Sequence, residues 1–174
     1  MDIFRSGIRP AVNTGLSVTR VGGVGHNSRQ KDINVAVMRI MSSYRQALEY
    51  SRFGSELSAE SQATLMKGKM INAVITQRTG EFASLMAQQL MMQIILDADG
   101  TAMLNVDFMK SIAMEYAAKV DKDGGNFDKV KADLLAAVNK GPSEHAESKS
   151  KQDYVAEQLE KDKAEADKLM RSDE

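Results

Sequence analysis

An all-α fold is predicted for this chain, and three observations predict it. Residues 82–96 read FASLMAQQLMMQIIL, fifteen residues without a formal charge, and no other stretch is so apolar. Apolar side chains recur at spacings of three and four over residues 32–53 and again over 105–120, the period of a helix with one buried face. Turn-forming clusters (Thr79-Gly80, Asp97-Ala98-Asp99-Gly100, Asp121 to Gly125 and Gly141-Pro142) punctuate the pattern. The expectation is a compact domain of about five helices at 32–141. A disordered basic leader at 1–31 precedes it, and a linker at 142–149 and a charged helical tail at 150–174 follow.

The leader holds five of the twelve glycines, one of the two prolines and five basic side chains against Asp2 alone. No period of 3.6 or 2 persists in it, so it reads as disordered. Asp32 is then the expected N-cap of a helix to about Phe53, with Gly54 as its stop. Ile33, Val37, Ile40, Met41, Tyr44, Ala47, Leu48 and Ser51 fall on its inner face. Ser58 caps the next segment, in which Met70, Ile71, Val74, Ile75, Phe82, Met86, Leu90 and Ile94 mark the buried side. Gly68 and Gly80 each cost a helix interior about 1 kcal/mol relative to Ala. The Thr79-Gly80 pair is therefore an expected kink or break between helices near 59–78 and 81–96.

Asn105 is the expected cap of a helix to Val120, with Met109, Ile112, Ala113, Tyr116 and Val120 facing inward. A short helix at 127–139 follows, buried through Phe127, Val130, Leu134 and Val138 and ended by Gly141-Pro142. Residues 151–170 are charged and helix-favouring. Val155, Leu159, Asp162, Ala166 and Leu169 form a seam of less than three heptads, marginal on its own.

The uncharged stretch is not expected to span a membrane, since a span needs about 20 predominantly apolar residues. Arg78 and Glu81 close one end of it and Asp97 and Asp99 the other. Its apolar residues occupy nearly the whole circumference, so they must be covered by the rest of the fold or by another chain. Leu85, Met86, Leu90, Met91, Ile94 and Ile95 are accordingly the candidate interaction residues.

Little points to catalysis. The chain has no cysteine, which excludes disulfides and Cys-based metal sites. His26 and His145 fall in segments with nothing to hold a general base. A phosphate loop, an HExxH pattern and a nucleophile elbow are all missing. The two Asp-x-Asp-Gly turns suggest calcium, but a calcium loop needs Gly at position six and a bidentate acid at twelve. Counting from Asp97 those positions hold Ala102 and Phe108; counting from Asp121 they hold Asn126 and Ala132. No enzyme activity, metal or cofactor is expected. A net charge of −1 and a leader whose single aromatic is Phe4 argue against specific nucleic-acid binding. Twelve methionines suit helical surfaces that repack against neighbours, and protein partners, self-association included, are expected.

One further signal lies in residues 97–141. Gly124-Gly125, then Lys131-Ala132 with Leu134-Leu135, give this run an Asp/Gly turn, a short helix, a Gly-Gly turn and a small helix. In this it resembles the EspA-like filament subunits of type III secretion systems. The resemblance implies a self-assembling helical subunit, cytoplasmic when made, held by a secretion chaperone and exported by a route independent of the general secretory signal. The alternatives are a phage or virion structural protein and a monomeric adaptor or effector acting through helix–helix contacts.

Overall fold

The computed structural model describes residues 2–5, 7–12, 22–52, 58–101, 103–121 and 124–145. Among these residues the regular structure is helical throughout: α1 (Asp2–Arg5), α2 (Ser28–Arg52), α3 (Ala59–Ile75), α4 (Leu85–Asp97), α5 (Val106–Asp121) and α6 (127–145). The all-α expectation holds. The chain divides into two units, Met1–Asn139 and Lys140–Glu174. Phe53, Gly54 and the charged seam from Val155 to Leu169 lie outside the described residues.

Local capping sets the helix starts. Helix α2 begins at Ser28 rather than after Asp32, because Asn27 and Gln30 form a reciprocal capping box. The Gln30 amide N–H donates to Asn27 Oδ1 at 2.9 Å, and the Asn27 N–H donates to Gln30 Oε1 at 3.0 Å. Ser58 caps α3 by accepting the Ser61 N–H at 3.2 Å, and Ser84 caps α4 by accepting the Ala87 N–H at 3.2 Å. Asn105 caps α5 as expected, accepting from Phe108 N at 3.0 Å. Asn126 does the same for α6, accepting from Asp128 N and Lys129 N.

The break expected at Thr79-Gly80 is real and wider than the sequence implied. Helix α3 stops at Ile75, Thr76 is extended, and Gly80 takes φ 80° in the turn that follows. Arg78 and Glu81 close that turn. The Glu81 N–H donates to Arg78 O, and Glu81 Oε2 accepts the Arg78 N–H at 2.8 Å. Phe82 therefore sits in a loop, three-quarters exposed, and not on the buried side where helical spacing had put it. In the second unit Gly141, the expected stop, takes φ 84°, yet helical residues continue to 145.

The core is organised around α4, which packs against α2, α3 and α5. Leu90, Met91, Ile94 and Ile95 are essentially inaccessible, and Met70, Ile71, Met109 and Leu134 close over them. Each such side chain contributes about 1.5–3 kcal/mol when fully buried. The glutamines of α4 are accommodated through their amide groups. Gln88 Nε2 donates to Ala83 O, Gln89 Nε2 to Leu85 O and Gln93 Nε2 to Asp97 Oδ1. At its C-terminus, Leu96 O accepts from Lys67 Nζ of α3 at 3.0 Å, so a cation from a neighbouring helix meets the negative end of the dipole. Lys131 of α6 pairs with Asp97 at the same end. Burial pushes the Asp97 carboxyl up, but hydrogen bonds from Lys131 and Gln93 outweigh it and hold its pKa below the usual value.

Gly68 is where α2 meets α3. A Cβ built on it would lie 2.3 Å from the Tyr44 ring, so only glycine allows this approach. Helix propensity alone predicts that Gly68→Ala stabilises by about 1 kcal/mol. We expect the reverse, a loss of about 1–3 kcal/mol from overpacking, read as a lower urea midpoint. A stabilised variant would contradict the packing. Leu90→Ala should cost about 2–5 kcal/mol on the same assay.

Candidate functional site

A cleft of about 590 Å³ opens in the first unit, between the leader, the first turns of α2, the α3–α4 loop and the start of α4. Its apolar lining comes from Ile33 and Val37 of α2, Val74 and Ile75 of α3 and Met91 and Met92 of α4. Val12, Phe82 and Leu85 also line it and are exposed, which gives the cleft an apolar, solvent-facing edge. The leader is held beside it, since the Gln77 N–H donates to Arg9 O at 2.8 Å. Its polar lining is mostly neutral: Gln30, Asn34, Gln77, Gln88 and Gln89, with His26 held by Asn34 Nδ2 at 3.0 Å.

Gln89 is the one buried polar residue of the described core. Its Nε2 donates to Leu85 O, which fixes the amide orientation and leaves Oε1 buried without a partner. Such a group costs about 1–3 kcal/mol.

Among the described residues, the only charged groups lining the cleft are engaged with each other and with the backbone. Lys110 of α5 donates to Thr76 O at 2.6 Å and to Ala73 O at 3.5 Å, capping α3. It also pairs with Glu81 at 2.7 Å, with the two side chains 13% and 28% exposed. Lys110 and the Arg78 backbone N–H hold the Glu81 carboxyl below its ordinary value of 4.5. A carboxylate stabilised in its ionised form is a poor proton acceptor at neutral pH, and the Lys110 ammonium is tied to three acceptors. The chemistry available to the cleft is burial of apolar surface. No group of three or more His, Cys, Asp or Glu side chains suited to a metal occurs among the described residues. Asp99 instead holds the Thr101 N–H and hydroxyl, which keep its pKa low.

The sequence-predicted interaction residues separate. Leu90, Met91, Ile94 and Ile95 are buried by the chain itself, Met86 is half-buried, and Leu85 is 60% exposed at the cleft. Lys110 was missed by sequence reasoning. The available signal was its place beside Met109 on the flank of the inward-facing stripe of α5.

Among the described residues this is an all-helical domain whose clearest surface feature is an apolar cleft edge. The family described as ATP synthase alpha/beta chain, C terminal domain, matches residues 30–171. The chain belongs to that family. It is 27% identical over 157 residues to ATP synthase subunit alpha of Thioalkalivibrio sulfidiphilus (strain HL-EbGR7), covering 83% of this chain and 30% of that protein. It is 29% identical over 157 residues to the Syntrophomonas wolfei subsp. wolfei subunit alpha, covering 83% and 31%. Over 76 residues it is 41% identical to the subunit described as ATP synthase subunit alpha, sodium ion specific, of Acetobacterium woodii, covering 44% and 15%. The chain thus spans about 30% of the length of the first of these relatives.

These findings overturn the EspA-like resemblance, and with it the type III apparatus, the secretion chaperone, the export route and the virion alternative. The quoted motifs were cap and core features. Gly124 is a left-handed turn residue, Leu134 is a buried core side chain, and Lys131 pairs with Asp97. Any set of packed helices can produce that pattern. What stands is the family and the finding that no helix among the described residues is long and apolar enough to cross a membrane.

The Glu81–Lys110 pair gives a pH prediction. A carboxyl whose folded pKa is depressed adds stability above its unfolded value and loses it as pH falls through the folded value. Stability should therefore fall below about pH 4.5, and less steeply in Glu81→Gln. Urea unfolding across that range checks the slope; parallel curves for the two proteins would contradict the pairing. Lys110→Met, which also uncaps α3, should cost about 1–3 kcal/mol at neutral pH.

Proposed function

We propose that this chain acts as a non-catalytic helical module of an ATP synthase α-type assembly, binding other subunits without performing a bond-breaking step. The observation that carries the reading is the family match over residues 30–171. The engagement of Glu81 and Lys110 in structural contacts supports the absence of chemistry at the cleft.

In this proposal the association surface is the cleft edge, with Leu85 and Phe82 as its exposed anchors, while Met86 packs half-buried against the core. Leu90, Met91, Ile94 and Ile95 serve it from within by fixing the position of α4. The helices from α2 onward carry the association, with the segment before Ser28 and the charged tail at 150–174 flanking them. The match extends into that tail, which favours treating it as part of the same module.

Mixing the full chain with purified ATP synthase subunits and measuring mass by light scattering after gel filtration tests the proposal. The wild type should co-elute with at least one subunit, and Leu85→Asp or Phe82→Asp should abolish this while leaving the fold intact. A chain that elutes alone at its own 19.1 kDa mass with every subunit would overturn it.

A further inference from the structure

Two methionine sulfurs in the described structure hold a backbone amide. The Leu104 N–H donates to Met70 Sδ at 3.4 Å, and the Ser84 N–H donates to Met114 Sδ at 3.1 Å. Their surroundings differ sharply. Met70 is inaccessible, whereas Met114 is 38% exposed on α5. Ser84 is the N-cap of α4, its Oγ accepting from Ala87 N, so Met114 reaches across from α5 to hold the residue that starts the central helix. The chain has no cysteine, so no thiol of its own competes for an oxidant.

We propose that Met114 is an oxidation site through which a hydroperoxide loosens the start of α4. The sulfide lone pair attacks one peroxide oxygen, the O–O bond breaks and an S–O bond forms. With hydrogen peroxide the other oxygen leaves as water after proton transfer. The sulfur gives up two electrons and the peroxide accepts them. The product is a polar sulfoxide in place of a soft thioether, and a sulfoxide reductase with a dithiol reverses it. The sulfoxide is larger and more polar than the thioether that held the Ser84 amide, so the α5 contact with the cap must rearrange. Met38 and Met103 are also exposed, but among the described residues neither sulfur holds the Ser84 amide, and their oxidation leaves this cap untouched.

The test uses the full chain carrying Met38→Leu and Met103→Leu, treated with graded hydrogen peroxide. Peptide mass spectrometry reads the gain of about 16 Da at each methionine, and hydrogen exchange reads the amides of 82–87. Met114 should oxidise at least about tenfold faster than Met70, and the Ser84 amide should then exchange at least about tenfold faster. Reductase treatment should restore the slow exchange. Adding Met114→Leu should raise exchange without peroxide and remove any further response to it. Should that variant fail to fold, the peroxide and reductase cycle on the unaltered Met114 decides alone. The proposal is overturned if Met114 resists oxidation as Met70 does, if exchange at Ser84 ignores the oxidation, or if the Met114→Leu protein responds to peroxide equally.

Discussion

Helix α4 has no face that water can solvate well, and most of the described structure follows from enclosing it. A helix with one apolar stripe needs one neighbour; this one needs neighbours on several sides. Helices α2, α3 and α5 pack against it, and residues of α6 complete the same core. The carbonyls at the C-terminus of such a helix must also find donors. Lys67 supplies one at Leu96 O, and Lys110 does the equivalent for α3 at Thr76 O. The bundle is thus held by apolar burial around α4 and by lysines that tie the C-terminus of one helix to the side of another.

Much of this was legible in the sequence where the signal was local. The uncharged stretch marked the centre, the period of three and four marked the inner face of α5, and Asn105 marked its cap. Legibility failed where contacts join distant residues. Lys110 reaches Thr76 across 34 positions, and nothing in the spacing around Lys110 indicates that partner. Phe82 extended the helical period of α4, yet the Arg78–Glu81 turn and the Ser84 cap delay the helix past it. The start of α2 is a different case. Asn27 and Gln30 are a capping box written in residues three apart, whereas Asp32 merely precedes the periodic run.

The functional side divides the same way. Apolar surface and a lack of held titratable groups pointed towards association, and the relatives are subunits of a larger enzyme. The family itself was not in the periodicity at all. Turns, caps and leucines at helical spacing recur wherever helices pack, so a likeness built on them drew in an unrelated secretion family. Identity over 157 residues carries information of another kind, because it samples surface and loop positions that packing does not dictate. The candidate residues divide by the same physics: the buried part of α4 is satisfied within the chain, while Leu85 and Phe82 at its N-terminal end remain open.

The claim that α4 is the element around which the domain is enclosed can be tested by native-state hydrogen exchange across a denaturant series. If it holds, the amides of Leu90 to Ile95 exchange only through global unfolding, with the same opening free energy and denaturant dependence as the whole domain. If those amides exchange through a smaller opening while α2 and α5 stay protected, α4 is not the centre and the account fails.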